Sequence, residues 1–320
     1  MTNVILGIDI SKLTFDVTLL IDNKVKNRKF DNNKKGFDTL IQWLKTKGVD
    51  TGYACMEATG SYGLKLARYL YENNFKVSVV NPARIKGFAQ SKLCRVKTDK
   101  ADSDLIAHFC QTMKPDLWKP TSLHIQELQQ LVNRLDALIS IKNQETNRLE
   151  GLSDLVATNI KDHIIFLNKQ IKEVEQLIAN HIKTHQDLSE KSTLLASIPG
   201  VGEKTISQVL TFLSNIDNFN SPKQVIAFLG LNPKQRQSGT SVRGTSRISK
   251  TGNAELRKAF YMPAIVSLKY NPVIKGFVKR LSITGKPKMV IVIAAMRKLI
   301  HIIYGVLKNK TLFNEKIKVV

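Results

Sequence analysis

Cysteine is scarce: the 320 residues hold three, Cys55, Cys94 and Cys110. They are too few and too scattered for a disulfide framework or a zinc site, and they fit a reducing cytoplasm. Acid is scarce relative to base, with 26 Asp and Glu against 49 Lys and Arg and a formal charge of +23. An excess of that size favours a polyanionic partner, of which DNA and RNA phosphates are the commonest. No amphipathic polybasic segment stands apart from the rest, which argues against an anionic membrane surface. No basic-then-apolar leader opens the chain; MTNVILGIDIS begins directly on a strand pattern. The most apolar late stretch, residues 289–307, is interrupted by Arg297, Lys298 and His301. It reads as a buried helix, too short and too charged to span a bilayer. Neither an internal repeat nor a low-complexity segment is found. The apolar content of 42%, spread along the whole length, is ample for one large domain or two to three small ones.

The N-terminal third alternates strand and helix signals. Val4–Ile10 and Thr14–Ile21 are short apolar runs, and 24–30 alternates after a turn at Asp22-Asn23, which predicts an antiparallel meander. A helix is predicted over 34–47, with Phe37, Leu40, Ile41 and Leu44 on one face. Then come strand 52–58, helix 62–73 and strand 75–80, closed by Pro82, with a further helix over 101–113. The order βββαβαβ is that of the ribonuclease H-like nuclease and transposase fold. Lys114-Pro115 and Lys119-Pro120 mark a boundary. Beyond it, residues 123–188 carry helical leucine and isoleucine spacing that turns near Gly151–Ser153, expected as a helical hairpin or coiled coil serving as spacer or dimer arm. The remainder is expected to be a small helical domain with loops rich in Gly, Ser, Lys and Arg. The predicted division is α/β for 1–115, all-α for 116–190 and all-α for 191–320.

Four carboxylates stand where strands and helices of such a sheet end. Asp9 closes the first strand in Gly7-Ile8-Asp9, and Glu57 closes the fourth in Met56-Glu57-Ala58. Asp99 and Asp102 sit at i and i+3 on a helix start and share one face. Carboxylates that converge repel one another unless cations neutralise them, and an all-oxygen donor set suits Mg²⁺ or Mn²⁺. Two such ions can activate a nucleophile and stabilise a leaving oxygen in phosphoryl transfer. Taken singly, Asp9 reads as a turn residue, Glu57 as a surface carboxylate and Asp99 as a helix N-cap. Asp16, inside the second strand, and Asp104, rotated off the shared face, are left out of the set, though either can support it from behind.

The C-terminal region offers two phosphate-binding patterns. Ile198-Pro199-Gly200-Val201-Gly202, followed by Glu203-Lys204 and an apolar helix, looks like a helix-hairpin-helix. Its glycines let a turn present backbone N–H groups to a DNA phosphate without reading sequence; the plain alternative is a tight interhelical turn. Further on, Arg236, Arg243, Arg247, Lys250 and Arg257 are spaced among glycines and hydroxyls around Ser238-Gly239. Such a loop can follow a phosphate backbone closely, or present a serine as nucleophile among cations. From the residues alone, gripping phosphate is the stronger of the two.

Gly-Ile-Asp-Ile-Ser-Lys, Met-Glu-Ala-Thr-Gly, Lys-Thr-Asp-x-x-Asp, Ile-Pro-Gly-Val-Gly and Ser-Gly…Ile-Ser-Lys-x-Gly-Asn-x-x-Leu-Arg together resemble the DEDD transposases of bacterial insertion sequences, relatives of the Piv DNA invertase. The resemblance covers nearly the whole chain. It implies a RuvC-like N-terminal domain, a coiled-coil middle and a C-terminal transposase domain. It implies that Asp9, Glu57, Asp99 and Asp102 are an acidic, metal-binding tetrad. It also implies a serine that attacks a DNA phosphate and forms a phosphoserine link, carried by position before the glycine to Ser238, with Ser241 and more remotely Ser246 as competitors. Ser103 follows Asp102 where the family often has alanine. Implied partners are double-stranded DNA (element ends and target), a structured noncoding bridge RNA, and further copies of the chain in a dimer or tetramer, in a bacterial cytoplasm near the nucleoid. The runner-up is a metal-dependent nuclease or junction resolvase with water as nucleophile, and after it a non-catalytic binder on a decayed nuclease fold. An actin-like ATPase also opens on Gly-Ile-Asp, but the later Gly-rich phosphate loops of that fold are not evident.

Overall fold

Five strands build the N-terminal sheet: β1 (Val4–Ile10), β2 (Thr14–Ile21), β3 (Lys24–Asp31), and, after helix α1 (Lys34–Lys45), β4 (Tyr53–Glu57), then helix α2 (Leu64–Glu72) and β5 (Lys76–Val80). The computed structural model describes residues 4–315 except 23, 59, 61, 93–97, 235–236, 239–241 and 244–246, with backbone alone at 99, 237–238 and 242–243. The strand order is β3-β2-β1-β4-β5. β1 to β3 form the antiparallel meander, while β4 pairs parallel with both β1 and β5. The expected order βββαβαβ is the one observed.

Alternation along β1 sorts its side chains between two cores. Leu6, Ile8 and Ile10 join Phe37, Leu40, Leu44, Leu66 and Leu70 under α1 and α2. Ile5 lies on the opposite face with Cys55, Val80, Ile106 and Phe109, where helix α4 (Asp99–Met113) covers β1, β2 and β4. Gly7 is on that face too. A Cβ there would fall inside contact distance of the Ser103 carbonyl oxygen and the Ala107 nitrogen, so glycine lets the α4 backbone rest on the strand. Next to it the Thr18 and Ser103 hydroxyls are 2.8 Å apart, and Ser103 also donates to the Lys100 carbonyl. The buried serine hydroxyl after Asp102 is therefore satisfied.

Two expectations are corrected. Pro82 does not close the run; it opens helix α3 (Pro82–Ser91), whose N-cap Asn81 accepts from the Ala83 N–H at 2.8 Å. Proline lacks only a donor that the first helical turn cannot use. Asp99 is not an N-cap either. Thr98 caps α4, accepting from the Ala101 N–H at 3.2 Å, and Asp99 is the first helical residue. After α4 the chain stays on the sheet: Trp118 N–H donates to the Val77 carbonyl at 2.7 Å, and Arg68 donates to the Thr121 carbonyl. Met1–Thr121 and Ser122–Val320 are two compact units.

The second unit is helical: α5 (Leu123–Asn147), α6 (Asp154–Thr184), α7 (Gln186–Ala196), α8 (Glu203–Phe212) and α9 (Pro222–Phe228) precede α10 (Ala254–Ala259), α11 (Tyr261–Tyr270), α12 (Pro272–Ile283) and α13 (Lys288–Asn309). α5 and α6 fold back on one another through a turn at Gly151, whose φ is +77°. One apolar cluster runs from Ile125 on α5 to Leu307 on α13. Between α9 and α10 the loop expectation is refined by two short ribbons: β6 (Pro233–Lys234) pairs with β9 (Arg247–Ile248), and β7 (Gln237–Ser238) with β8 (Val242–Arg243). At 22 residues α13 is long and apolar enough to cross a membrane by composition, so the exclusion on length fails. What marks it as a core helix is the burial of Ile291, Ala295, Leu299, Ile302 and Val306 against its neighbours.

Replacing Gly7 by valine is expected to destabilise the first unit by about 1–3 kcal/mol, the usual cost of overpacking. In a Cys94→Ser background the buried thiols Cys55 and Cys110 should then react with a thiol reagent faster than in the parent. Unchanged melting and unchanged thiol protection would show that α4 does not rest on Gly7.

Candidate functional site

The register of the sheet brings the first two carboxylates to neighbouring strand ends. Ile8 of β1 is level with Met56 of β4, the last pair of that parallel ladder, and Asp9 and Glu57 each follow it by one residue. Asp9 shares a face with Ile5 and Gly7, and Glu57 with Cys55, so both carboxylates belong to the α4 side. Both are half-buried. Asp102 is in the first turns of α4, its N–H donating to the Thr98 carbonyl at 2.8 Å, one residue before the Ser103–Ala107 stretch that lies on Gly7. Asp99, three residues earlier, has its backbone placed at the helix start. The sheet and α4 thus supply the carboxylates of the first unit from strand ends and one helix start.

The two acidic residues left out of the set have defined partners. Asp104 accepts from Thr18 Oγ1 and from Asn27 Nδ2, both at 2.6 Å, and ties α4 to β2 and β3. Asp16 pairs with Lys29 at 3.1 Å. Behind the row, the Cys55 thiol donates to Cys110; that hydrogen bond, then burial, push Cys55 well above the ordinary thiol range, while the same bond holds Cys110 down. With the two thiols buried and hydrogen-bonded to each other, the carboxylate oxygens are the donors left for a cation, and such oxygens fit a hard divalent one. Among the described residues no three His, Cys, Asp or Glu side chains close into a metal-holding group; the Asp99 side chain is outside them.

In the second unit the predicted residues divide by what they touch. Gly200, at φ +96°, is packed on α11: a Cβ would run into the Ser267 side chain. The turn is latched by the buried Asn271, whose Nδ2 donates to the Pro199 carbonyl at 3.2 Å while its Oδ1 caps α12. Gly202, the residue before α8, is exposed and open to solvent. Lys204 is ion-paired with Asp136 of α5 at 2.8 Å, and Gln208 donates to the same carboxylate.

The Ile-Ser-Lys-x-Gly-Asn-x-x-Leu-Arg segment has a structural job that its composition conceals. Ser249 Oγ donates to Asn232 Oδ1 at 2.6 Å. Lys250 is left-handed at φ +56°, and its N–H donates to the Gly230 carbonyl. Gly252 passes against the Phe228 carbonyl, and Asn253 caps α10 by accepting from Leu256 N–H at 2.8 Å. Arg257 donates to the Leu229 carbonyl at 2.9 Å. These contacts clip the base of the ribbons to the end of α9. Arg247 stands on β9, exposed and level with Lys234 of β6, and Lys250 is exposed. The Ser238 backbone ends β7 level with Val242, and Arg243 is on β8 level with Gln237. Arg236, Ser241 and Ser246 lie outside the described residues, as does Cys94.

A mixed sheet whose central strands carry adjacent carboxylates, covered by a helix opening on two aspartates, is the arrangement of a DEDD nuclease-like domain, and residues 6–157 match the DEDD transposase model of the IS110 group. Residues 192–279 match the Transposase IS116/IS110/IS902 family. The pilin gene-inverting proteins of Moraxella bovis and Moraxella lacunata are each 36% identical over 320 residues, covering 99% of this chain and 99% of the relative. The transposase for insertion sequence element IS1111A of Coxiella burnetii is 23% identical over 294 residues, or 79% of this chain and 74% of that protein. The chain belongs to the IS110 transposase family of DNA-cutting and rejoining enzymes.

Arg247→Ala should lower DNA affinity, reduce the slope of log affinity against log salt by about one, and leave the melting temperature alone. Arg257→Ala should instead destabilise the second unit by about 1–3 kcal/mol, the loss of a charged donor from a carbonyl. Equal effects of both substitutions on salt dependence alone would assign Arg257 to the DNA rather than to the clip.

Proposed function

We propose that this protein recombines DNA through an acidic tetrad, Asp9, Glu57, Asp99 and Asp102, and a serine nucleophile, Ser238. The observation that carries the reading is that Asp9 and Glu57 follow the last β1–β4 pair, Ile8 and Met56, on strands whose alternation turns both toward the α4 face. Mg²⁺, or Mn²⁺ in its place, is the cation we assign to the tetrad. Bound there, it would supply Lewis-acid stabilisation of the charge that develops on phosphate oxygens during the transfer. The tetrad residues hold the cation and keep its ligand oxygens oriented from two strands and one helix.

Ser238 Oγ attacks the scissile phosphorus. An Oγ–P ester forms, the bond to one deoxyribose oxygen breaks, and that oxygen leaves with a proton while the serine proton passes to water. Attack by another DNA end's hydroxyl on the phosphoserine reverses the sequence, which conserves the phosphodiester without external energy. The place of Ser238 before Gly239 in the sequence, in a segment rich in basic residues, supports the assignment.

The finer assignments follow the same reading. The α5–α6 hairpin acts as a coiled-coil arm in a homo-oligomer, dimer or tetramer. The turn from Pro199 to Gly202 is a helix-hairpin-helix that offers the exposed Gly202 end of α8 to a phosphate, with Lys204 exchanging Asp136 for the backbone. Arg236, Arg243, Arg247 and Lys250 line the path of DNA, and a structured bridge RNA pairs with donor and target. The charge of +23 suits two polyanions at once. The three functional segments are 1–115, 116–190 and 191–320, and the enzyme works in the cytoplasm at the nucleoid.

The test is denaturing electrophoresis of the protein with labelled element-end DNA, with and without co-purified RNA. The wild type should give an adduct that survives denaturation, Ser238→Ala should give none, and Glu57→Gln should reduce it by orders of magnitude. DNA cleaved without any adduct would replace the serine by water, and an adduct that persists in Ser238→Ala would move the nucleophile elsewhere.

A further inference from the structure

The α4 face of the sheet carries a charged row that is longer than the pair of strand-end carboxylates. Asp9 is level with Asp16 across the β1–β2 ladder, and Asp16 is level with Lys29 across β2–β3. Lys29, Asp16 and Asp9 thus form a level row over three strands, and Glu57 follows one residue past the last β1–β4 pair. Asp16 and Lys29 form an ion pair at 3.1 Å, the aspartate side chain 18% and the lysine 51% exposed.

Stability alone does not explain this row. Like charges directly opposite in an antiparallel pair are destabilising, and aspartate is a poor strand former. Two residues further along the same face of β2, Thr18 is buried and satisfied by α4, so the strand shows what a fold-serving residue there looks like. Nor is Asp16 assigned as a third ligand, since its carboxylate is engaged by Lys29. What remains is an acid held beside the candidate metal ligand by a cation on the edge strand.

We propose that the Asp16–Lys29 pair belongs to the metal site as a positioning pair, in which Asp16 adds negative potential at Asp9 and anchors the Lys29 ammonium at the outer end of the row. This rests on the tetrad reading. Removing Asp16 leaves the Lys29 charge facing Asp9 and weakens cation binding. Removing Lys29 leaves an uncompensated acid and strengthens it. Removing both restores the balance.

The experiment is Mn²⁺ binding to the intact protein without DNA, followed by electron paramagnetic resonance, beside the melting temperature of each variant in chelator. Asp16→Asn should weaken Mn²⁺ roughly tenfold, as loss of a supporting partner around a metal does. Lys29→Met should tighten it about two- to fivefold, the effect of one partly exposed charge. The double variant should return close to wild type. Variants that melt lower but bind Mn²⁺ like the wild type would make the pair a plain cross-strand bridge and overturn the proposal. Glu57→Gln separates the two failures. If it abolishes binding while Asp16→Asn changes nothing, only the positioning role falls; if it binds like wild type, the tetrad reading falls and the pair's role with it.

Discussion

The approach of α4 to β1 at Gly7 is the contact from which the N-terminal arrangement follows. A helix backbone can rest on a strand backbone only where no Cβ intervenes, and Gly7 is the β1 residue that permits it. Once α4 is seated there, Ser103 meets Thr18, Asp104 reaches β2 and β3, and Ile106 and Phe109 join Ile5 and Cys55 in one core. Asp102 is then one residue from a contact that is itself two residues from Asp9. Carboxylates far apart in the chain are brought to one face by packing that the charges themselves would oppose.

That opposition is the second half of the physics. A sheet that places Asp16 level with Asp9 on β2 and β1 trades stability for a local negative field, part of which the Lys29 ammonium offsets through its pair with Asp16. In the second unit the trade differs. Glycines and serines that look like a phosphate-binding loop spend most of their hydrogen bonds inside the fold, with Ser249 on Asn232, Asn253 on α10 and Asn271 on the Pro199 turn.

Much of this was legible in the residues. Period-two alternation marks β1 and β2, and the carboxylates at Asp9 and Glu57 stand at strand ends whose apolar neighbours are unambiguous. α3 was not legible because Asn-Pro signals both a stop and a start; only the cap at Asn81 decides. The ribbons around Ser238 are two residues long, below the length at which alternation carries information. The partners that Lys204 and Arg257 have within the fold, Asp136 and the Leu229 carbonyl, were not legible because they are distant in sequence. Asp16 was visible as a strand acid, but its place between Asp9 and Lys29 depends on two turns. Ser11 closes the first through its hydrogen bonds to Thr14, and Asp22, at φ +46°, shapes the second.

The central claim is that a divalent cation is gathered on the α4 face by Asp9, Glu57, Asp99 and Asp102. Fe²⁺ substituted for the native ion and driven with ascorbate and peroxide cuts the backbone within reach of its ligands, and the fragments can be sized and sequenced. Cation binding at the tetrad predicts cuts beside Asp9, beside Glu57 and at the start of α4, all suppressed by excess Mg²⁺. Cuts confined to other segments, or the same three cuts persisting undiminished in Glu57→Gln, would contradict it.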